Sequence, residues 1–168
     1  FLPMLPTQIL LNNILYDLSE LPIPLDAVDA AETARPRVLD MAAIRRFMFT
    51  IGPISSLFDF ITFVLLLRVF DASEALFQTG WFVESLCTQV LVIFVIRTRG
   101  WPWQSRPHPA LTLTSLLVVS VALVLPFTPV GPWFGLTPLP ASFYAVLAGM
   151  VMVYLTLVQA LKRWALRA

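Results

Sequence analysis

The sequence predicts an all-α membrane protein, a bundle of five transmembrane helices. Hydrophobic residues make up 58% of the chain, charged residues make up 12%, and the mean hydropathy is +0.83. A soluble domain needs a surface richer in charge than this composition provides. Spanning the hydrocarbon core of a bilayer takes about 20 helical residues. Apolar runs of suitable length lie near 1–25, 47–67, 76–96, 110–128 and 140–161.

The stretches between these runs have the composition of connectors. The first connector, DAVDAAETARPRVLDMAAIRR, clusters acids and arginines and is predicted to be polar, with or without a short surface helix. The third and fourth runs are joined by RTRGWPWQSRPHP, whose Trp101 and Trp103 suit the aromatic belt at a membrane interface. The fourth and fifth runs are separated by FTPVGPWFGLTPLP, whose prolines and glycines cannot continue a helix. We therefore treat residues 1–168 as a single membrane domain.

Basic residues are distributed unevenly along the chain. From the first connector to the C-terminal tail, the segments outside the runs hold 4, 1, 3, 0 and 3 of the 11 Lys and Arg residues. Cytoplasmic loops carry an excess of Lys and Arg, and this alternation puts ten of the 11 on one side. The distribution predicts five spans, an outside start and a cytoplasmic C-terminus.

Charge and cysteine content exclude several classes of protein. A net charge of +1 lacks the clustered excess of basic residues that a nucleic-acid partner requires. Cys87 is the one cysteine and lies inside an apolar run, so the chain has no disulfide framework, and no Cys/His metal spacing occurs. The first apolar run begins at Phe1 without the features of a signal peptide, and we expect the chain to be part of a longer protein.

The first run carries a polar stripe within NNILYDLSELPIPLD. Asn13, Asp17 and Glu20 lie at i, i+4 and i+7, which is one face of a helix. An ionised carboxylate near the bilayer centre costs about 2.5–3.5 kcal/mol on insertion scales, so Asp17 should face protein or water. An alternative is that the stripe lies close to an interface and is merely solvated.

Two prolines beyond the stripe strengthen the prediction of a cation site. Pro22 and Pro24 cannot donate hydrogen bonds to the carbonyls of Leu18 and Glu20. Broken helices that free backbone oxygens in this way build cation sites in transporters. Calcium takes 6 to 8 oxygen ligands, whereas magnesium keeps several waters and binds through one or two carboxylates, so a sparse site fits magnesium better.

Several segments resemble one family. The segment LPTQILLNNILYD resembles the sixth membrane helix of P-type cation-transporting ATPases, where an Asn and an Asp four positions later provide cation ligands; Asn13 and Asp17 match them. The C-terminal membrane half of bacterial magnesium-transporting P-type ATPases, the Mgt group, resembles ARPRVLDMAAIRRFMFTIGPISSLFDFITF, LFQTGWFVESLCTQVLVIFVIRT and GLTPLPASFY. The resemblance extends from Phe1 to the basic tail and implies that the five spans are helices six to ten of that family.

The resemblance implies a pump of the bacterial inner membrane that couples ATP hydrolysis to Mg²⁺ import. Mg²⁺ would be the transported ion, and the partners would be the lipid bilayer and the remaining N-terminal part of the pump. The chain contains no DKTGT phosphorylation motif and no insertion long enough to hold nucleotide, so it is not catalytic by itself and would depend on ATP only through domains absent from it. Two residues depart from the family pattern. Glu20 stands where Gln is expected in relatives, and Tyr16 stands where calcium pumps have Thr.

Three further polar side chains fall near the middle of predicted spans. Asp59 lies in the second span, Glu84 and Gln89 lie in the third, and all three should be buried against protein. We interpret Asp59 as structural, capping or hydrogen-bonding a neighbouring helix, with a role as an ion ligand as the alternative. The resemblance implies a carboxylate or amide ligand from the third span, which makes Glu84 and Gln89 secondary candidates for the metal site.

Three functional classes remain open from the sequence. The chain is the membrane half of a magnesium P-type ATPase, a passive channel or secondary transporter, or a non-transporting module that regulates a pump. The first class predicts an adjoining polypeptide with DKTGT, the second predicts transport without ATP, and the third predicts co-purification with an intact pump.

Overall fold

The computed structural model describes residues 1–27, 29–36 and 38–165, and the regular secondary structure in these ranges is helical throughout. This confirms the predicted all-α architecture. The α-helices are α1 (Pro6–Glu20), α2 (Ala30–Thr33), α3 (Met41–Val64), α4 (Glu74–Leu91), α5 (Ile93–Ile96), α6 (Pro109–Val124) and α7 (Ala141–Ala165). A π-helical turn follows α3 at Leu65–Val69, and 3₁₀ turns lie at Ile23–Leu25, Leu125–Phe127 and Gly131–Phe134.

Four helical segments of the described residues are long and apolar enough to cross a membrane. They are Met41–Val69, Glu74–Ile96, Pro109–Phe127 and Ala141–Ala165. The first predicted span is shorter than expected, because α1 has 15 residues and therefore a length of about 22 Å. Pro6 occupies the first position of α1, and the helix ends at Glu20 just before the two prolines. The prolines thus confine the helix to the middle of the apolar run.

The second span is longer than its hydropathy predicts. It starts at Met41 because the side chain of Asp40 caps the helix, accepting hydrogen bonds from the N–H groups of Ala42 (2.9 Å) and Ala43 (3.1 Å). At its other end the chain reverses through Asp71, which has a φ of 44°. Asp tolerates this left-handed conformation better than most residues do.

Helix α4 lies at the centre of the bundle and contacts α1, α3, α6 and α7. In an apolar 18-residue stretch of the span Glu74–Ile96, 61% of the residues are buried. The corresponding share is 22% to 28% in the other three candidate spans. The outer helices instead expose large apolar side chains, among them Leu113, Leu117 and Met152. This distribution suits a bundle surrounded by lipid, in which only the central helix is covered by protein on most sides.

Hydrogen bonds and an ion pair to connecting segments define two ends of the bundle. At one end the Gln8 side chain donates to the Phe134 carbonyl (2.9 Å), and the Gln78 side chain donates to the Leu2 carbonyl (2.8 Å). At the other end Arg97 binds Asp26, and Lys162 donates to the Gly100 carbonyl (3.0 Å). The second end therefore joins the first connector, the third connector and the C-terminal end of α7.

Candidate cation sites

The predicted stripe of α1 lies on the side of the helix that the bundle leaves open. Asn13 and Asp17 are exposed, and Glu20 is partly exposed. The opposite face carries the buried Gln8 and Asn12, and α1 packs against α4 and α6. Asn13 and Asp17 thus point away from the other helices of this chain and toward any protein or water that covers α1 from outside.

The end of α1 has the break that the prolines predict. The helix stops at Glu20, and the chain continues through the 3₁₀ turn at Ile23–Leu25, in which the N–H of Asp26 donates to the Ile23 carbonyl (2.9 Å). This end of α1 packs against α6, where the Thr114 hydroxyl lies 3.4 Å from the Ser19 carbonyl and closer to the carbonyls of Ala110 (3.0 Å) and Leu111 (3.2 Å) in its own helix. The cation role of the carbonyls of Leu18 and Glu20 stays a prediction.

Glu84 and Gln89 lie apart from the stripe, around a cavity of about 360 Å³. Glu84 is buried as predicted, with 1% of its surface exposed, and its Oε2 atom has no hydrogen-bond partner among the residues that the structure describes. Gln89 is exposed, contrary to expectation. Its side chain donates a hydrogen bond to the hydroxyl of Ser85 (3.0 Å), which lies one turn earlier in α4. The stripe and the cavity are separate features: Tyr16 is the α1 residue that lines the cavity, whereas Asn13 and Asp17 do not line it.

Asp59 is the residue whose setting the sequence did not reveal. It is half-buried, it lines the same cavity as Glu84, and its Oδ1 atom accepts a hydrogen bond from Trp81 Nε1 (3.3 Å). That bond supports a structural role, and Asp59 shares the cavity lining with Glu84. The sequence signal was its mid-span position, which indicates a protein-facing carboxylate but not its neighbour.

Asn12 is a second residue that sequence reasoning passed over. Asn12 is buried on the face of α1 that packs against α4 and α6. Its Nδ2 atom has no hydrogen-bond partner within the part of the chain that the structure describes. Asn12 and Asn13 are adjacent in the sequence, which does not show which of the two faces the bundle. Rotating α1 about its axis would turn either side chain toward the other helices. Among the described residues, no group of three or more His, Cys, Asp or Glu side chains is arranged to hold a metal ion.

An ion pair fixes the connector that follows α1. Arg97 Nε and Nη2 bind the two carboxylate oxygens of Asp26 at 2.7 and 3.1 Å, and the N–H of His108 donates to Asp26 Oδ1 (2.7 Å). Burial acts to raise the pKa of Asp26, but the hydrogen bonds from Arg97 and His108 outweigh it and hold this pKa below its usual value. The end of α1 is therefore anchored to the loop before α6.

Asp29 and Lys162 extend this anchor. The hydroxyl of Thr98 donates to Asp29 Oδ2 (2.8 Å), and this hydrogen bond lowers the pKa of Asp29. Lys162 is buried, and its Nζ donates to the carbonyls of Val95 (2.6 Å), Thr98 (2.8 Å) and Gly100 (3.0 Å). All three ammonium protons of Lys162 thus bind carbonyls, one in α5 and two in the segment that follows it.

Comparison with known proteins places this arrangement in a family. Residues 1–164 match the family described as the C-terminus of cation transporting ATPases. The chain belongs to this family. Two relatives named "Magnesium-transporting ATPase, P-type 1" are 41% identical to it, one from Salmonella typhimurium strain LT2 over 98% of the chain and one from Escherichia coli strain K12 over 96%. A protein of the same name from Salmonella typhimurium strain 14028s is 43% identical over 96% of the chain. The chain spans about a fifth of the length of these relatives, 18% to 19%.

Proposed function

We propose that this chain is the C-terminal membrane domain of a P-type ATPase that imports Mg²⁺ at the expense of ATP. The observation that carries the proposal is its similarity, over nearly its whole length, to proteins named as magnesium-transporting ATPases. ATP hydrolysis would belong to other parts of the pump. The domain would lie in the bacterial inner membrane with a cytoplasmic C-terminus, and its partners would be the bilayer and the N-terminal part of the pump.

In this function Asn13 and Asp17 provide part of the transported-ion site. Their exposure on α1 supports this role, because a site shared with other helices needs ligands that the C-terminal bundle leaves uncovered. The helix ends one turn beyond them, which frees backbone oxygens for a cation. Glu20 is the weaker ligand candidate of this stripe, since it is the last residue of α1 and lies nearest to the connector.

Mg²⁺ fits this stripe for a chemical reason. Asp17 supplies a carboxylate and Asn13 supplies a carbonyl oxygen, which are hard oxygen ligands. Magnesium keeps several of its waters and needs few protein ligands, so two side chains and a backbone carbonyl suffice as the contribution of one helix.

The test replaces Asp17 by Asn in the intact pump that contains this chain. Asn keeps the size of the side chain but removes the charge that offsets cation dehydration. Mg²⁺-dependent growth of a strain that lacks other magnesium uptake, and Mg²⁺-stimulated ATP hydrolysis by purified pump, should fall together by at least about tenfold. Glu20→Gln should have a milder effect.

Two results would count against this function. Normal Mg²⁺ dependence of the Asp17→Asn pump would make the stripe structural. Mg²⁺ uptake into vesicles that proceeds equally well without ATP would instead indicate a channel or secondary transporter.

A further inference from the structure

The cavity of about 360 Å³ described above brings two carboxylates from different helices together. It is lined by residues of α1, α3, α4, α5 and α7, with Asp59 contributed by α3 and Glu84 by α4. Its lining residues include no Lys, Arg or His. Two acidic groups therefore line one space inside the bundle. No described lining residue carries a positive charge that would compensate them.

Glu84 is the stronger indication that this space receives a ligand. Only 1% of the Glu84 surface is exposed, and Oε2 has no hydrogen-bond partner in the described ranges 1–27, 29–36 and 38–165. A buried carboxylate oxygen without a partner is costly, so an isolated one calls for a positive or donating ligand. Asp59 supplies the second acidic group, and the single hydrogen bond found for it, from Trp81, occupies Oδ1.

The remaining lining suits a cation that keeps part of its water shell. Hydroxyl groups of Ser55, Ser85 and Thr88 line the cavity beside the carboxylates. Its volume accommodates several water molecules. A hydrated divalent ion held by two carboxylates is the binding mode that Mg²⁺ prefers, because this ion dehydrates reluctantly.

We propose that Asp59 and Glu84 hold a hydrated divalent cation in this cavity, forming a second cation site separate from Asn13 and Asp17. The inference rests on the proposed function for the identity of the ion as Mg²⁺. Asp59 is thereby a ligand and not only a partner of Trp81. The two sites are distinct because neither Asn13 nor Asp17 lines the cavity.

The experiment counts Mn²⁺ ions bound by the purified intact pump without nucleotide, using the electron paramagnetic resonance signal of free Mn²⁺. Mn²⁺ takes the same oxygen ligands as Mg²⁺. Asp59→Asn and Glu84→Gln should each weaken one bound Mn²⁺ by at least about tenfold, and the double variant should lose that ion. Asp71→Asn is the matched control, because Asp71 is an exposed carboxylate outside the cavity and Asn also tolerates its φ of 44°.

A second measurement avoids variants that fail to fold. Crystals of the unaltered pump soaked in Mn²⁺ should give an anomalous difference peak between Asp59 and Glu84. Absence of that peak at saturating Mn²⁺, or unchanged Mn²⁺ binding in both single variants, would overturn the proposal. Loss of Mn²⁺ in Glu84→Gln alone would also overturn it, since the site requires both carboxylates.

The proposed function and this inference can fail independently. If Asp17→Asn stops transport while Asp59→Asn and Glu84→Gln bind Mn²⁺ normally, the second site alone is refuted. If Asp17→Asn transports normally while the two cavity variants lose one Mn²⁺, the second site stands and the role of the stripe is refuted.

Discussion

Asp26 shows how much of the bundle depends on one side chain. Its carboxylate binds Arg97 through two hydrogen bonds, and only 12% of the Asp26 side chain and 6% of the Arg97 side chain are exposed. Removing one partner of a buried pair leaves the other charge uncompensated. The connector after α1 and the loop before α6 therefore share one electrostatic anchor.

Asp26→Asn should destabilise the intact protein by about 3 kcal/mol at neutral pH, because Arg97 would remain buried without its counter-charge. Thermal unfolding in detergent micelles measures this change. Asp71→Asn, at an exposed carboxylate, should leave the unfolding temperature almost unchanged. An equally small effect of Asp26→Asn would show that the pair contributes no net stability.

The same pair predicts a specific pH dependence. The pKa of Asp26 is lower in the folded protein than its ordinary value of 3.8, so the ionised form is the one that folding favours. Its contribution is complete above the ordinary pKa and is lost as the pH falls through the folded pKa. Unfolding midpoints measured from pH 7 to pH 3 should therefore converge for the unaltered protein and Asp26→Asn at the acid end. A constant difference over that range would contradict the assignment.

At the scale of helices, two glycines offer a matched pair of tests. A Cβ atom on Gly80 of α4 would lie 2.8 Å from Cδ2 of Leu66 and 3.3 Å from Cζ of Phe143. A Cβ atom on Gly149 of α7 would have no neighbour within 4 Å. Close packing around the central helix thus depends on the absence of a side chain at position 80.

Gly80→Ala should destabilise the protein by about 1–3 kcal/mol, because the buried Leu66 must move and the core is overpacked. Gly149→Ala should instead stabilise it by about 0.5–1 kcal/mol, since Ala forms helix better than Gly. Unfolding of the two variants in the same detergent compares them directly. Equal shifts for both substitutions would mean that α4 does not pack as described.

For the molecule as a whole, we predict the orientation in the membrane from the two ends of the bundle. Arg97 and Lys162 lie at the end that also receives the first connector, and the basic connectors are predicted to be cytoplasmic. Trp133 lies in the segment between α6 and α7, which carries no basic residue and belongs to the opposite end. The basic residues Arg97 and Lys162 therefore lie at one end of the bundle, and this is the end that we predict to be cytoplasmic.

Cysteine labelling tests that orientation. With Cys87 replaced by Ala, cysteines introduced at the exposed positions Ala34 and Trp133 should react with a membrane-impermeant reagent from opposite sides. Intact cells should label the cysteine at 133, and inverted vesicles should label the cysteine at 34. Labelling of both from the outside would refute the predicted topology.

Residue order alone was enough to predict the class of protein and most helix positions, because hydropathy and proline placement act locally. A low charge content predicts a membrane protein, and the prolines around α1 and after α6 stop helices whatever lies next to them. The family resemblance carried by the first run and the later spans likewise depends on residue order alone. The polar stripe could be recognised for the same reason, since Asn13 and Asp17 are one turn apart.

Which polar groups lie together depends instead on how the helices pack. Asp59 and Glu84 lie on different helices, and so do the partners Asp26 and Arg97, so their proximity follows from how the helices pack. The same packing decided that Asn12 is buried while its neighbour Asn13 is exposed, and that α1 is covered on one face only. Local periodicity gives the faces of a helix, but the choice of the buried face depends on contacts between residues far apart in the chain.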